Sequence, residues 1–242
     1  MAPSFFPLPH VEDSKKRVRV LFGGKYIVDT KQSKLVWIKP FYPLYFFNSD
    51  EIPSSYLTES LRSDEHIIYD LAVGNRIAER SVKKYLTGDL KGLINIEFSA
   101  ADAWFEEDDQ IFVHPKDPYK RVDVLQSSRH IRVELNGVEL ANTTKPRLLF
   151  ETGLPVRTYI PKTDVRMDLL VPSQTTTKCP YKGTASYYNV KLPDGSGADD
   201  IVWWYPVALP ECDQVKGFAA FYDEKVDVYV DGELQKRPGK LA

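Results

Sequence analysis

The chain has 242 residues, 43% of them hydrophobic and 27% charged, with a net charge of −2. This is ordinary for a globular protein with a sizeable core, built as one large or two small domains. With no basic stripe the footprint of a nucleic-acid binder is missing, no stretch approaches the roughly 18 apolar residues of a membrane helix, and two cysteines, Cys179 and Cys212, are too few for a disulfide scaffold or a four-ligand zinc site.

The opening MAPSFFPLPH has no basic region followed by an apolar run. It does not read as a signal peptide, so a cytoplasmic setting with reduced thiols is expected. Its prolines predict an extended arm over 1–12. Arg17–Phe22 then alternates basic and apolar residues, Gly23-Gly24 turns the chain, and Tyr26–Asp29 returns, which is the pattern of a β-hairpin. Lys34–Ile38 and Leu44–Phe47 read as strands separated by Pro40 and Pro43. Ser49–Ile52 reads as a turn or a single helical turn, and Ser54–Arg62 as a helix. Ile67–Val73 and Leu93–Phe98 are strand-like. Ala103–Phe105 is read as strand because its counterpart, KVDVYV, alternates cleanly over Asp227–Val230. In the second half Ile131–Leu135, Val138–Asn142, Arg147–Phe150, Thr158–Ile160, Ser186–Lys191 and Gly217–Tyr222 complete the pattern. Aromatic and β-branched residues dominate these runs, as strands prefer. The fold class is therefore all-β with minor helix.

The chain also repeats itself. RVRVLFGGKYIVDT at 17–30 matches HIRVELNGVELANT at 130–143 at an offset of 113. Gly92 matches Gly217, and Asp102-Ala103-Trp104-Phe105 matches Asp227-Val228-Tyr229-Val230, at an offset of 125. A period this long predicts two tandem domains, over 13–115 and 125–238, joined by a connector at 116–124. The second copy gains 12 residues between Val165 and Gly217. Insertions of that kind usually fall in loops.

RVRVLFGGKYIVDT, AWFEEDDQIFVHPKDPYKRVDVLQSSRHIRVELNGVELANT, CPYKGTASYY and GFAAFYDEKVDVYVDGE resemble the domain-of-unknown-function family numbered 427. The resemblance covers nearly the whole chain as two copies, the second better matched. It implies a β-tent, two antiparallel sheets pinned together at one edge. Related β-tent domains hold zinc through four cysteines, so the two in this chain imply no metal. The family has also carried a nucleotidyltransferase-like label. That chemistry needs a Gly-Ser loop and paired aspartates. Asp227 and Asp231 are spaced to share a strand face, but Asp231-Gly232 reads as a hairpin end and no Gly-Ser loop precedes it.

The chemistry-bearing residues gather in the second copy. Cys179-Pro180-Tyr181-Lys182-Gly183 places a thiol, a phenol and an amine in one tight loop. In Trp203-Trp204-Tyr205-Pro206, strand alternation puts Trp203 and Tyr205 on one face and Trp204 on the other. That shared face forms core or lines a pocket with Tyr187 and Tyr229. The first copy has Val82-Lys83-Lys84-Tyr85 in this region. Glu106-Glu107-Asp108-Asp109 reads as a solvated turn rather than a cation site. The connector His114–Asp123 is rich in charge and proline and serves either packing or a site.

These readings predict a protein that binds a small organic molecule in the second repeat or between repeats. The expected ligand-binding residues are Cys179, Tyr181, Lys182, Trp203 and Tyr205. One alternative is a metal-independent enzyme with Lys182, Tyr181 or His114 as proton carrier. Another is a protein-interaction module using exposed sheet edges. No cofactor, nucleic-acid or membrane partner is expected.

Overall fold

The computed structural model describes residues 6–239. Residues 1–5 of the expected arm lie outside the described residues. The chain divides between Asp117 and Pro118 into two compact units. The first contains β1 (His10–Asp13), β2 (Val18–Phe22), β3 (Lys25–Thr30), β4 (Lys34–Trp37), β5 (Leu44–Asn48), β6 (Leu57–Arg62), β7 (His66–Val73), β8 (Arg76–Tyr85), β9 (Leu93–Ile96), β10 (Ala103–Glu106) and β11 (Asp109–Ile111). The second contains β12 (Val122–Gln126), β13 (Ile131–Leu135), β14 (Val138–Thr143), β15 (Arg147–Glu151), β16 (Arg157–Ile160), β17 (Leu170–Cys179), β18 (Gly183–Lys191), β19 (Gly197–Ala208), β20 (Ala219–Phe221), β21 (Asp227–Val230) and β22 (Glu233–Leu234).

Both units follow one plan. A seven-stranded sheet runs β1-β4-β5-β9-β8-β7-β6 in the first and β12-β15-β16-β20-β19-β18-β17 in the second. A four-stranded sheet runs β3-β2-β10-β11 in the first and β14-β13-β21-β22 in the second. The two-copy, all-β architecture expected from the sequence is the one found, and helix among the described residues is limited to short 3-10 turns.

Local sequence explains the hairpins. β2 alternates buried and half-buried residues along VRVLF, so Val18, Val20 and Phe22 face the core. Gly23 and Gly24 both take left-handed φ, +57° and +75°, which a two-residue type I′ turn demands. Asn136 and Gly137, at +52° and +78°, make the same turn between β13 and β14. In each unit the core lies between the two sheets. In the second, Ile131, Val133 and Leu140 of the small sheet meet Ile160, Val202 and Phe221 of the large one.

The structure corrects three expectations. Ser54–Arg62 is not a helix: after a 3-10 turn at Ser54–Tyr56, Leu57–Arg62 forms strand β6 at a sheet edge. Its side chains are mostly exposed, so no buried stripe exists to reveal the period. Second, the offset of 125 holds at β9 and β20, where Asn95 and Ala220 sit opposite Phe46 and Tyr159, but at β10 and β21 it is 124. Trp104 pairs with Val20 and Val228 with Val133, so Trp104 corresponds to Val228. A one-residue slip exchanges the two faces of a strand, so the two offsets would turn different residues toward the core. Third, the extra residues of the second copy do not fall only in loops. β17 has ten residues where β6 has six, and β19 has twelve where β8 has ten.

Candidate functional site

Strand alternation gives the second unit's large sheet two different faces. Ile160, Val202 and Phe221 point to the small sheet. Their neighbours Tyr159, Trp203 and Ala220 point the other way, joined by Tyr187, Tyr205 and Leu149. The 3-10 segment Pro210–Val215 lies against this outer face through Cys212 and Val215. Trp203 and Tyr205 thus share a face, as expected, while Trp204 is opposite, with its ring stacked 6.1 Å from Tyr188.

The aromatic side chains are linked by their polar ends. Trp203 Nε1 donates to Tyr159 Oη at 3.2 Å, and the two rings meet edge to face at 88°. Tyr187 Oη is hydrogen-bonded to Thr177 Oγ1 at 2.8 Å and lies 3.4 Å from Tyr222 Oη. Tyr222 packs 4.6 Å from Trp203. Burial pushes the phenols of Tyr159, Tyr205 and Tyr222 above their ordinary range, so all three are neutral hydrogen-bonding groups at physiological pH.

Two charge clusters, fully buried only at Glu151 and half-buried elsewhere, frame this array. At one end Glu151, 5% exposed, accepts from Lys182 Nζ and lies 3.7 Å from Lys120 Nζ. Lys120 also sits 5.5 Å from the centre of the Tyr181 ring. Lys182 is aimed by the following Gly183, whose φ is +104° and where a Cβ would come 2.9 Å from Val207 O. At the other end Arg157 reaches Glu224 at 2.5 Å and Asp223 at 3.5 Å, with its guanidinium 5.8 Å from the Trp203 ring. Burial raises the Asp223 carboxyl to about 6, and Arg157 opposes the rise.

Of the expected site residues, Tyr181 is buried, Lys182 is half-buried and committed to Glu151, and Trp203 and Tyr205 stand within the aromatic array. Cys179 closes β17 half-buried and unbonded, and Cys212 is buried and unbonded. Burial raises the Cys212 thiol to about 11, against the pull of Lys182, which makes it a poor nucleophile. Tyr229 does not join Trp203. It belongs to the small sheet, where Arg132 covers its ring at 4.0 Å. His114 is in the first unit, buried and stacked 4.0 Å from Tyr42, with Nδ1 2.7 Å from Pro115 O.

Three residues of the acidic run and both hairpin aspartates have structural partners. Glu106 pairs with Lys16, Glu107 accepts from the Arg17 backbone N–H, and Asp108 pairs with Arg19. Asp227 holds Arg237, and Asp231 accepts from the His130 backbone N–H. Among the described residues no three His, Cys, Asp or Glu side chains converge to hold a metal, and no helix is long and apolar enough to cross a membrane.

Sequence reasoning missed Glu151, Arg157, Asp223 and Lys162. Lys162 Nζ lies 3.0 Å from the centre of the Trp204 ring and donates to Tyr188 Oη. Burial lowers its ammonium to about 8, while the ring face favours the charged form. In sequence these groups look like ordinary strand-end and turn residues.

The first unit has a different surface at the equivalent positions. Shared registers place Leu44 where Arg157 stands, Phe46 where Tyr159 stands, Lys83 where Trp203 stands and Ile68 where Tyr187 stands. There Val36, Phe46, Leu90 and Leu93 form a small apolar cluster.

No curated protein matches the chain. One family model, described as Domain of unknown function (DUF427), matches residues 10–87 and 123–232, one segment in each unit. With most of both units matched, the chain belongs to that family of unknown function.

Proposed function

We propose that the second unit binds a small polar organic molecule at the outer face of its seven-stranded sheet, beside Trp203, Tyr205, Tyr181 and Lys182. One observation carries this reading. The second unit places two partly buried charge clusters around an aromatic array, where the first unit carries Leu44, Phe46 and Ile68 together with one charge, Lys83. A buried ion pair is often no more stabilising than apolar residues of the same volume. The first unit shows that the Arg157 position can be filled by an apolar side chain, Leu44, packed against Val36 and Phe46. The charges are therefore better explained by a ligand than by packing. Tyr222, Cys179 and Lys182 are half-buried, so solvent reaches the array and its frame at these side chains.

A thermal-shift screen of polar metabolites on the full chain tests this. Trp203→Phe keeps most of the burial but removes the indole N–H given to Tyr159. It shrinks a buried aromatic and frees the Tyr159 hydroxyl, so it should cost about 1–3 kcal/mol of stability and weaken a hit seated on this face by about tenfold. Equal affinity in the two proteins, or no hit for the parent, defeats the proposal.

A second reading rests on Asp223. A carboxyl raised to about 6 beside Tyr222 and Arg157 is poised for acid–base catalysis near neutral pH. It predicts turnover of the bound compound that Asp223→Asn abolishes without loss of binding.

A further inference from the structure

The second unit also holds a cavity of about 250 Å³ between its two sheets, on the opposite side of the large sheet from the aromatic array. Its walls are Ile131, Leu148, Phe150, Thr158, Val228 and Val230, and its rim includes Arg129, Lys236 and Arg237.

The corresponding space in the first unit is filled. Trp104 occupies the position of Val228, and Tyr45 that of Thr158. Trp104 is 2% exposed and stacks against Phe98 at 4.9 Å and Phe47 at 6.1 Å. Tyr45 donates its hydroxyl to Glu106 at 2.9 Å, and Glu106 corresponds to Val230. The second unit has thus exchanged a tryptophan and a tyrosine for a valine and a threonine without closing the gap. The pocket opens to solvent on one side, and its apolar walls lack the contacts that Trp104 and Tyr45 supply in the first unit. Phe150, 39% exposed, stands where Trp37 is buried in the first unit, so the cavity has an apolar lip.

The rim charge gives the ligand's sign. Arg237 is held by Asp227, and Asp223 in the wall is held by Arg157. Arg129 and Lys236 form no ion pair among the described residues. Two uncompensated cations therefore border an apolar chamber. An apolar void of about 150 Å³ accepts one benzene ring, so this one accepts a body somewhat larger. We propose that the intersheet cavity of the second unit binds a small monocarboxylate, its branched or single-ring apolar body between the sheets and its carboxylate at Arg129 and Lys236.

The test uses the full chain with 4-phenylbutyrate, and 4-phenylbutanol as the neutral counterpart. The acid should raise the melting temperature and the alcohol should bind about tenfold more weakly, because it lacks the rim interaction. Val228→Trp restores the first unit's filling and should abolish binding while unfolding stays cooperative. Should that variant fail to fold, Thr158→Tyr serves the same purpose. Arg129→Glu should weaken the acid and leave the alcohol unchanged. Trp203→Phe should leave both unchanged, which separates this cavity from the outer-face site. The proposal is overturned if neither compound shifts the parent at millimolar concentration, if a folded filling variant binds the acid as the parent does, or if the alcohol matches the acid.

Discussion

Glu151→Gln should destabilise the second unit by about 3–5 kcal/mol, the usual cost of removing one partner from a buried ion pair. The carboxylate is 5% exposed and answers two ammonium groups, Lys182 and Lys120, whose side chains are 12% and 17% exposed. Glutamine keeps the shape and loses the charge, leaving two cations facing one another. Their partial exposure lets each swing toward water, so the lower end of the range is expected. Lys182→Met alone should cost less, because Lys120 still answers Glu151. The double variant Glu151→Gln/Lys182→Met should recover part of the loss, since the pair then gives way to neutral groups. Urea unfolding of the full chain measures all three, and the coupling follows from the cycle. A loss under about 0.5 kcal/mol for Glu151→Gln, the range of ordinary surface substitutions, would mean that water reaches the cluster and that Glu151 is not a buried charge.

The framework of the fold was readable because its signals are local. Gly23-Gly24 and Asn136-Gly137 announce hairpins, and the strands beside them alternate. Strands β6 and β8 were opaque for a different reason. In β8, Arg80 has φ +50° and its N–H goes to Asp70 Oδ1, at the irregularity where the β7–β8 register shifts. There β8 advances four residues, from Ala78 to Val82, against two on β7, from Tyr69 to Leu71, and adjacent Ser81 and Val82 are both buried, so RIAERSVKKY shows no stripe. The offset of 125 holds through β9 and β20 and fails only at β10 and β21. KVDVYV alternates but AWFE, with three apolar residues in a row, does not, and only pairing with β2 and β13 decides which residue of each faces inward.

The candidate site divides along the same line. The tryptophans of WWYP and the loop lysine of CPYKG are conspicuous in sequence, and alternation correctly separates Trp203 from Trp204. Their charged partners are not conspicuous. Glu151 is 31 residues from Lys182, and Arg157 is 67 from Glu224. Each reads as a strand end until the sheet order β15-β16-β20-β19 brings it beside the array. The intersheet cavity was hidden further still, because it consists of absent volume. It becomes legible only when Val228 is matched to Trp104, which the sequence offset had paired with Tyr229.

Arg157→Leu installs the residue that the first unit carries as Leu44, and it should be strongly destabilising at neutral pH, by about 3–5 kcal/mol. Leucine suits Leu44 because that position faces Val36 and Phe46. At Arg157 it would face two carboxylates, Asp223 and Glu224, with side chains 18% and 16% exposed. The cost must depend on pH, and its sign follows from the two groups. Burial raises Asp223 to about 6, so its ionisation already opposes folding as pH climbs from about 4 to 6. Without Arg157 that opposition grows, because the largest force resisting the rise is gone. Glu224 is shifted the other way, downward, chiefly by its hydrogen bonds from Arg157. Its contribution is present above the usual carboxylate range and is lost as pH falls, and the variant forfeits it at neutral pH. Both effects vanish once the carboxyls are protonated. Urea unfolding should therefore show the full loss at pH 7.5 and little below about pH 4. Adding Asp223→Asn to Arg157→Leu should restore part of the neutral-pH stability, since one buried charge is removed with its partner. A loss that stays constant from pH 7.5 to 4 means that Arg157 acts through packing against Trp203 rather than by neutralising the two acids, and the case for a charge-framed ligand face weakens with it.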